Sequence, residues 1–397
     1  MAADSQPSLW LATARREAAD EVEVAVVGGG IVGLSTAYWL GRAGRRVAVL
    51  EAGGLACRAS GRNAGFLMTG TPEPYAELAG SIGEAAARRL WETSRENREL
   101  LRGELLDTGR VDCGFLPEGS WIAAIAGTGQ EEELRASAEA LSALGFDLEW
   151  REEAEVRRAS GSERLSGAIF QPRDGGLQPV ELCRGIARLS GASIKTGFAV
   201  RRMEPAGDRV RLVAEAGEVV AERVVLALNA YAGALLPHLA GEVRPVRGQM
   251  LALAPLAPTA GRELPGVWYV NEGYEYLRQL ADGTVVVGGC RWAAREVEVG
   301  TAETPTATVQ GALERFLTDA FPRFAGRPVR QRWAGTMAFT SDGLPRIGEV
   351  PGLPNAIYAA GFNGHGMSLG FATGRYLARR AMGETAEPLF PATSAAR

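Results

Sequence analysis

The chain has 397 residues, is 46% hydrophobic and 23% charged, and carries a formal net charge of −4. These are ordinary values for a globular protein of two or three domains. They argue against a nucleic-acid binder built on basic patches, and no apolar run approaches the ~20 residues that a membrane-spanning helix needs.

The opening segment, MAADSQPSLWLATARREAADEVEV, lacks the charged-then-apolar pattern of a secretory leader. Cys57, Cys113, Cys183 and Cys290 are scattered, with no CxxC or Cys/His cluster. The expectation is a cytoplasmic protein with free thiols and no metal.

Residues 22–51 read VEVAVVGGGIVGLSTAYWLGRAGRRVAVLE. Val22 to Val27 are mostly apolar and β-branched, as in a buried parallel strand. Gly28, Gly30 and Gly33 form G-x-G-x-x-G. A helix is expected over 31–42, with Gly44 past its end, and a second strand over 46–50. Glu51 closes that strand. Strand, glycine turn, helix and following acid together form a dinucleotide-binding fingerprint. Gly28 permits the tight turn, Gly30 lets backbone approach a pyrophosphate, and Gly33 allows close helix–sheet packing. The helix N-terminus supplies positive potential, and Glu51 accepts from a ribose diol. The fingerprint by itself does not choose between NAD and FAD.

Further along, residues 59–66 read ASGRNAGF, a polar turn. One long amphipathic helix is expected over 80–108, ending at Gly109, and another over 129–145. Residues 246–330 alternate apolar and polar positions, as in an antiparallel sheet interrupted by a helix near 308–319. Residues 355–360, NAIYAA, read as a buried strand and 367–381 as a helix. Between them lies GFNGHGMSLG, 361–370, with four glycines and His365, one of the chain's two histidines. The other, His238 in LLPHLAG, reads as a loop residue.

The ordered set VVGGGIVGLSTAYWL, LEAG, ASGRNAGF, PRDGGLQP, RPVRGQM, YLRQLADGTVVVGG and WAGTMAFTSDGLPRIG resembles the D-amino-acid-oxidase-like superfamily of FAD enzymes. The SGRN form, with SLWLAT at residues 8–13, is most similar to its γ-glutamylputrescine oxidase branch, beside the glycine and sarcosine oxidases. The resemblance implies an α/β fold. Its FAD-binding Rossmann-like domain would be discontinuous (1–75, 165–245 and 330–397). An α+β substrate domain on an antiparallel sheet (76–164 and 246–329) would form the ceiling over a flavin floor.

Carried onto these residues, the resemblance implies FAD contacts at Gly28, Gly30, Ile31, Gly33, Glu51, Ala52, Ser60, Arg62, Asn63, Ala64, Gly65 and Phe66. It implies further contacts at Val200, Ala227, Asn229 and Gly335. In the glycine-rich stretch they are Gly361, Asn363, Gly364, His365, Gly366 and Met367. Backbone amides at Gly364 to Ser368, at a helix N-terminus, would stabilise negative charge on the flavin pyrimidine edge.

On the substrate side, Tyr276 and Arg278 share a strand face by period two and are candidate catalytic contacts, with His365 a third. Tyr274, Trp268 and Trp292 are further candidates for an aromatic wall. Where glycine-oxidase-like relatives carry a carboxylate-binding arginine, this chain has Met337; Arg247, Arg278, Arg291 and Arg332 remain alternatives. Gly335 stands where sarcosine-oxidase relatives carry a flavin-linking cysteine, so FAD is expected to be non-covalent. The implied reaction is oxidation of an amine or amino acid by hydride transfer to flavin N5, with imine hydrolysis and H2O2 formed from O2. A dehydrogenase feeding a quinone or carrier, and a non-catalytic flavin-binding protein, are the alternatives. The oligomeric state stays open.

Overall fold

In the computed structural model, residues 20–71, 73–255 and 262–390 are described. SLWLAT at 8–13 lies outside them.

The strand Asp20–Val27 runs parallel to Val47–Glu51 on one side and Gly217–Leu226 on the other. Ser193–Thr196 extends the sheet beyond Val47–Glu51, and Leu353–Ala360 extends it beyond Gly217–Leu226. Arg346–Val350 closes that edge antiparallel. A hairpin, Arg202–Ala206 with Arg209–Ala214, pairs onto Gly217–Leu226. Val24 to Val27 are all buried because layers cover both faces of the sheet.

One face packs Val24, Val26 and Val49 against the helices Ile31–Arg42, Glu84–Leu101, Pro179–Ser190 and Gly366–Ala381. The other packs Ala25, Val27 and Leu50 against Phe198, Leu212 and Leu236. The glycine at 374 lets two helices meet closely: a Cβ there would lie 2.5 Å from Ser35 Cβ.

The helix expected over 80–108 is broken. Tyr75–Ile82 and Glu84–Leu101 meet at Gly83, whose φ of +88° ends one helix and starts the next. A wider turn, Arg102–Leu106, follows. The other expected helices stand at Gln130–Ala143 and Ala307–Ala320.

The second sheet runs in the order Val329–Phe339, Arg244–Leu253, Val285–Gly289, Glu275–Gln279, Val267–Val270, Ser120–Ile125, Leu165–Gln171, Glu149–Arg151. It is antiparallel except where Val267–Val270 pairs parallel with Ser120–Ile125. Leu165–Gln171 and Val329–Phe339, expected with the cofactor domain, are strands of this sheet, whereas Glu84–Leu101 packs on the cofactor-side helices. The reason is pairing: Val329–Phe339 lies along the whole of Arg244–Leu253. Helix Ala307–Ala320 covers one face with Val309, Leu313 and Leu317; the other face carries Tyr269, Tyr276 and Met250.

A buried ion pair ties the helix Glu84–Leu101 to the turn after Leu165–Gln171. Arg98 Nη1 lies 2.8 Å from Asp174 Oδ1, and the same carboxylate accepts from Thr69 N, Thr69 Oγ1 and Ser120 Oγ. No helix among the described residues is long and apolar enough to cross a membrane.

Candidate active site

A cavity of about 800 Å3 runs between the two sheets. At one end is the glycine turn. Gly28 N donates to Leu50 O (2.9 Å), and Ala227 N donates to Val27 O (2.8 Å), so three strand ends converge there. Gly28 has φ +113°, and a Cβ on it would lie 2.5 Å from Ala227 O. Gly33 plays its packing role: a Cβ would meet Gly28 O at 1.9 Å. It does not line the cavity.

Glu51 is fixed at the end of its strand. Its Oε2 accepts from Gly29 N (2.6 Å) and its Oε1 from Gly53 N (2.7 Å). Phe198 N donates to Glu51 O (2.9 Å), which brings Phe198 to Val200 beside the same cavity end. The first helix begins beneath it, where Ile31 N donates to Ser60 Oγ at 2.9 Å.

The ASGRNAGF segment forms the short helix Ala59–Arg62 and the strand Phe66–Leu67. Arg62 reaches out of the helix: Nε donates to Cys57 O and Nη1 to Ala334 O, both at 2.9 Å, and Nη2 lies 3.2 Å from Glu303. Asn63 Oδ1 caps Gly65 N at 2.7 Å. A Cβ on Gly335 would lie 2.8 Å from Arg62 Cβ, so glycine there lets the strand approach the helix.

At the other end stands the glycine-rich turn. Asn229 Oδ1 accepts from Gly361 N (3.1 Å) and Phe362 N (3.3 Å). Asn363 braces the turn against Thr340: its Oδ1 accepts Thr340 N at 2.9 Å, and its Nδ2 donates to Gly361 O at 2.8 Å. His365 N and Ser368 N donate within the turn, to Phe362 O and His365 O. The amides of Gly364, Gly366 and Met367 have no acceptor among the described residues. Those three N–H groups therefore stand at the N-terminus of a 16-residue helix, facing a cavity they line.

Most expected contacts line this cavity: Gly28, Gly30, Ile31, Glu51, Ala52, Ser60, Arg62, Asn63, Ala64, Phe66, Val200, Ala227, Asn229, Gly335, Asn363, Gly364, His365, Gly366 and Met367. Gly33, Gly65 and Gly361 do not. A Cβ on Gly65 would strike Leu177 O at 2.1 Å, so that glycine serves packing; Gly361, with φ +73°, serves the turn.

The sheet side divides the remaining candidates. Tyr276 lines the cavity, and burial pushes its phenol up to about 12. Arg278 does not line it. Its Nη2 donates to Leu177 O at 2.6 Å behind Gly65 and Gly176, and burial lowers its pKa to about 10. Strand twist and packing carry the arginine past the cavity edge although it shares a face with Tyr276.

Trp268 is fully buried on the opposite face, stacked on Trp121 with centroids 4.6 Å apart. Trp292 is half-exposed and donates to Glu275 at 2.6 Å, off the cavity. Tyr274 lines the mouth. The aromatic wall is Phe66, Tyr269 and Tyr276, with pairwise centroids of 5.4–6.1 Å. Tyr269 was not anticipated. Its signal was adjacency to Trp268, since neighbouring strand residues point to opposite faces, but only the Tyr269–Tyr276 register fixes which one faces inward.

His365 sits inside the cavity. Burial pushes its pKa below the ordinary value, with Glu73 and the Asn363 backbone pulling the other way. The ring is therefore held toward its neutral form. His238 is exposed, edge-on to Tyr358 at 5.4 Å.

These residues fit a dinucleotide cofactor. The glycine cradle admits backbone approach only without a Cβ, Glu51 lines the cavity beside it, and helix N-terminal amides without an acceptor among the described residues line the far end. The class thus defined is a dinucleotide-binding α/β protein.

Residues 23–380 match the model of the FAD dependent oxidoreductase family. The chain belongs to that family, and its cofactor is FAD. It is similar to gamma-glutamylputrescine oxidoreductase of Escherichia coli (strain K12), 30% identical over 91% of this chain and 84% of that protein. It is similar to glycine oxidase of Bacillus licheniformis, 28% identical over 90% and 92%. Its fold is that of glycine oxidase from Geobacillus kaustophilus, with a TM-score of 0.77 over 92% of this chain and 96% of that one, at 23% identity.

Proposed function

We propose that the protein oxidises the C–N bond of an amine or amino acid and that O2 takes the electrons, giving H2O2. When bound, FAD supplies the hydride acceptor at N5 and the route from there to O2. The chain's own residues bind, orient and exclude water. Glu51 and the Gly28–Gly33 turn hold the adenosine and pyrophosphate end, and the Gly364, Gly366 and Met367 amides neutralise charge developing at the pyrimidine edge. Tyr269, Tyr276 and Phe66 wall the substrate carbon in.

His365 is held toward neutrality by burial, and Tyr276 is pushed up to about 12, so neither is a strong base. The substrate amine reacts unprotonated. As hydride leaves its α-carbon, the nitrogen lone pair forms the C=N bond, and water later hydrolyses the imine.

The observation that carries this reading is the single cavity joining the Glu51 cradle, the helix N-terminus at Gly366 and the aromatic wall. The test is anaerobic mixing of the flavin-loaded protein with a panel of amines and D- and L-amino acids. Bleaching of the flavin by at least one of them is expected, then one H2O2 per imine on adding air. Bleaching without peroxide would move the acceptor to a quinone or carrier. No bleaching across the panel would leave a flavin-binding protein without turnover.

A further inference from the structure

The segment between Val285–Gly289 and Ala307–Ala320 has both its feet on the strand Arg244–Leu253. At one foot, Glu298 pairs with Arg247 at 2.6 and 2.9 Å, and Gly300 N donates to Pro245 O at 2.9 Å. At the other, Thr306 N donates to Gln249 Oε1 at 2.9 Å, and Gln249 Nε2 donates to Thr306 Oγ1 at 2.7 Å. Between the feet, Thr301, Ala302 and Thr304 are exposed, whereas the Glu303 side chain is turned inward.

Glu303 reaches the cofactor side, 245 positions away in the chain. Its Oε2 lies 2.9 Å from Arg58 Nη1 and 3.2 Å from Arg62 Nη2, and both arginines line the cavity. Their short helix stands between the two ends of the site. Ser60 ties it to the start of the first helix, through Ile31 N at 2.9 Å. Arg62 ties it to Ala334 O at 2.9 Å, on the strand whose Met337 lies against the glycine-rich turn: a Cβ on Gly364 would be 3.7 Å from Met337 Sδ.

The Arg58 and Arg62 side chains are 55% and 33% exposed, so their partners fix them more than burial does. Arg62 has two backbone acceptors besides Glu303. The Arg58 guanidinium has no other acceptor among the described residues and lies over the Tyr231 ring, 5.5 Å from the centroid. Arg58 is therefore placed by Glu303 and that ring. The same contact is poised to open. Both pairs fall on one carboxylate oxygen, and Oε1 is buried without a partner. Withdrawal of Glu303 into water hydrates that oxygen, which offsets part of the two ion pairs.

We propose that Glu303 is a positioning residue that latches the 301–305 strap to Arg58 and Arg62, and that opening of this latch sets how fast FAD enters and leaves the cavity. Closed, it fixes both arginines in the cavity wall between the glycine cradle and the glycine-rich turn. Open, both guanidiniums lose their shared anchor, and the second sheet loses this tie to the cofactor side. The inference rests on the cavity being the FAD site and holds whichever donor reduces the flavin.

The test compares the flavin-loaded protein with Glu303→Gln, Arg58→Gln and the double variant, whose net charge is that of the parent. FAD release is followed by the rise in flavin fluorescence on dilution, and uptake by its quenching on the deflavinated proteins. Glu303→Gln is expected to release FAD about 2- to 30-fold faster, the range for losing two partly exposed ion pairs. The double variant is expected to release FAD no faster than Glu303→Gln, because both changes break one latch. Its uptake is expected to quicken along with release, although it carries no excess positive charge to draw the dinucleotide in. Affinity then changes less than either rate. In the parent, release is expected to quicken between ~0.05 M and ~0.5 M salt as the pairs are screened, and Glu303→Gln is expected to lose that response. A parental release rate and salt response in Glu303→Gln would overturn the latch. Faster release with unchanged uptake in the double variant would also overturn it, since Glu303 would then support only the bound state.

Discussion

Glu51 Oε2 accepts the Gly29 amide at 2.6 Å, so the acid that ends the second strand is tied directly to the turn that starts the first helix. With Gly53 N on the other oxygen, the carboxylate ties together the two loops that hold Gly29 and Gly53. Glu51→Ala is expected to weaken FAD binding about 10- to 100-fold, because two amides and the diol lose a charged acceptor. Fluorescence titration of deflavinated protein with FAD measures it. Wild-type affinity in the variant would remove Glu51 from the site.

Asn229 couples the Gly217–Leu226 strand end to the glycine-rich turn through Gly361 and Phe362. Asn229→Ala leaves both amides without their acceptor and unlocks the turn. Lower flavin content and a melting temperature that no longer rises on adding FAD are the expected results, read by absorbance ratio and thermal shift.

Arg98, on the helix Glu84–Leu101, and Asp174, in the turn after Leu165–Gln171, form a buried pair. Arg98→Met leaves Asp174 charged among Thr69 and Ser120, which costs on the order of 3–5 kcal/mol. The double variant Arg98→Met/Asp174→Asn is expected to recover much of that loss. Urea denaturation of the parent, Arg98→Met, Asp174→Asn and the double variant checks the cycle; a double variant as unstable as the sum of the singles would show no coupling.

Burial lowers the His365 pKa, so the folded protein resists protonation there while the unfolded chain, near 6.5 in this group, does not. The unfolded state then binds more protons, and stability falls as pH drops through about 6.5. His365→Gln is expected to flatten the acid side of a melting-temperature profile between pH 8 and pH 5. Parallel profiles would place the acid sensitivity elsewhere.

No cysteine is among the residues lining the cavity, and Gly335 offers no side chain for a linkage. Acid precipitation is therefore expected to leave the flavin in the supernatant. A yellow pellet would show a covalent bond.

The glycine cradle and its acid were legible in sequence because their requirements are local. A strand, a turn without Cβ atoms, a helix and an acid follow one another within residues 22–51, and the folded chain keeps them in that order. GFNGHGMSLG was legible as a turn before a helix for the same reason. The substrate side was not. Trp268 and Tyr269 are equally aromatic neighbours, and only pairing with Tyr276 turns Tyr269 inward. Arg247, Arg278, Arg291 and Arg332 were equivalent as letters. Glu298, Leu177 O and Glu314 occupy three of them, and those partners lie 51, 101 and 18 positions away in the chain.

The amino-acid sequence by itself determined the glycine cradle after the first strand and the glycine-rich turn before the last helix, because backbone conformation acts over a few residues. Tertiary structure alone decided which aromatic rings wall the cavity and which of the four candidate arginines have partners among the described residues. Those outcomes depend on strand register and on distant carboxylates, which no local pattern encodes.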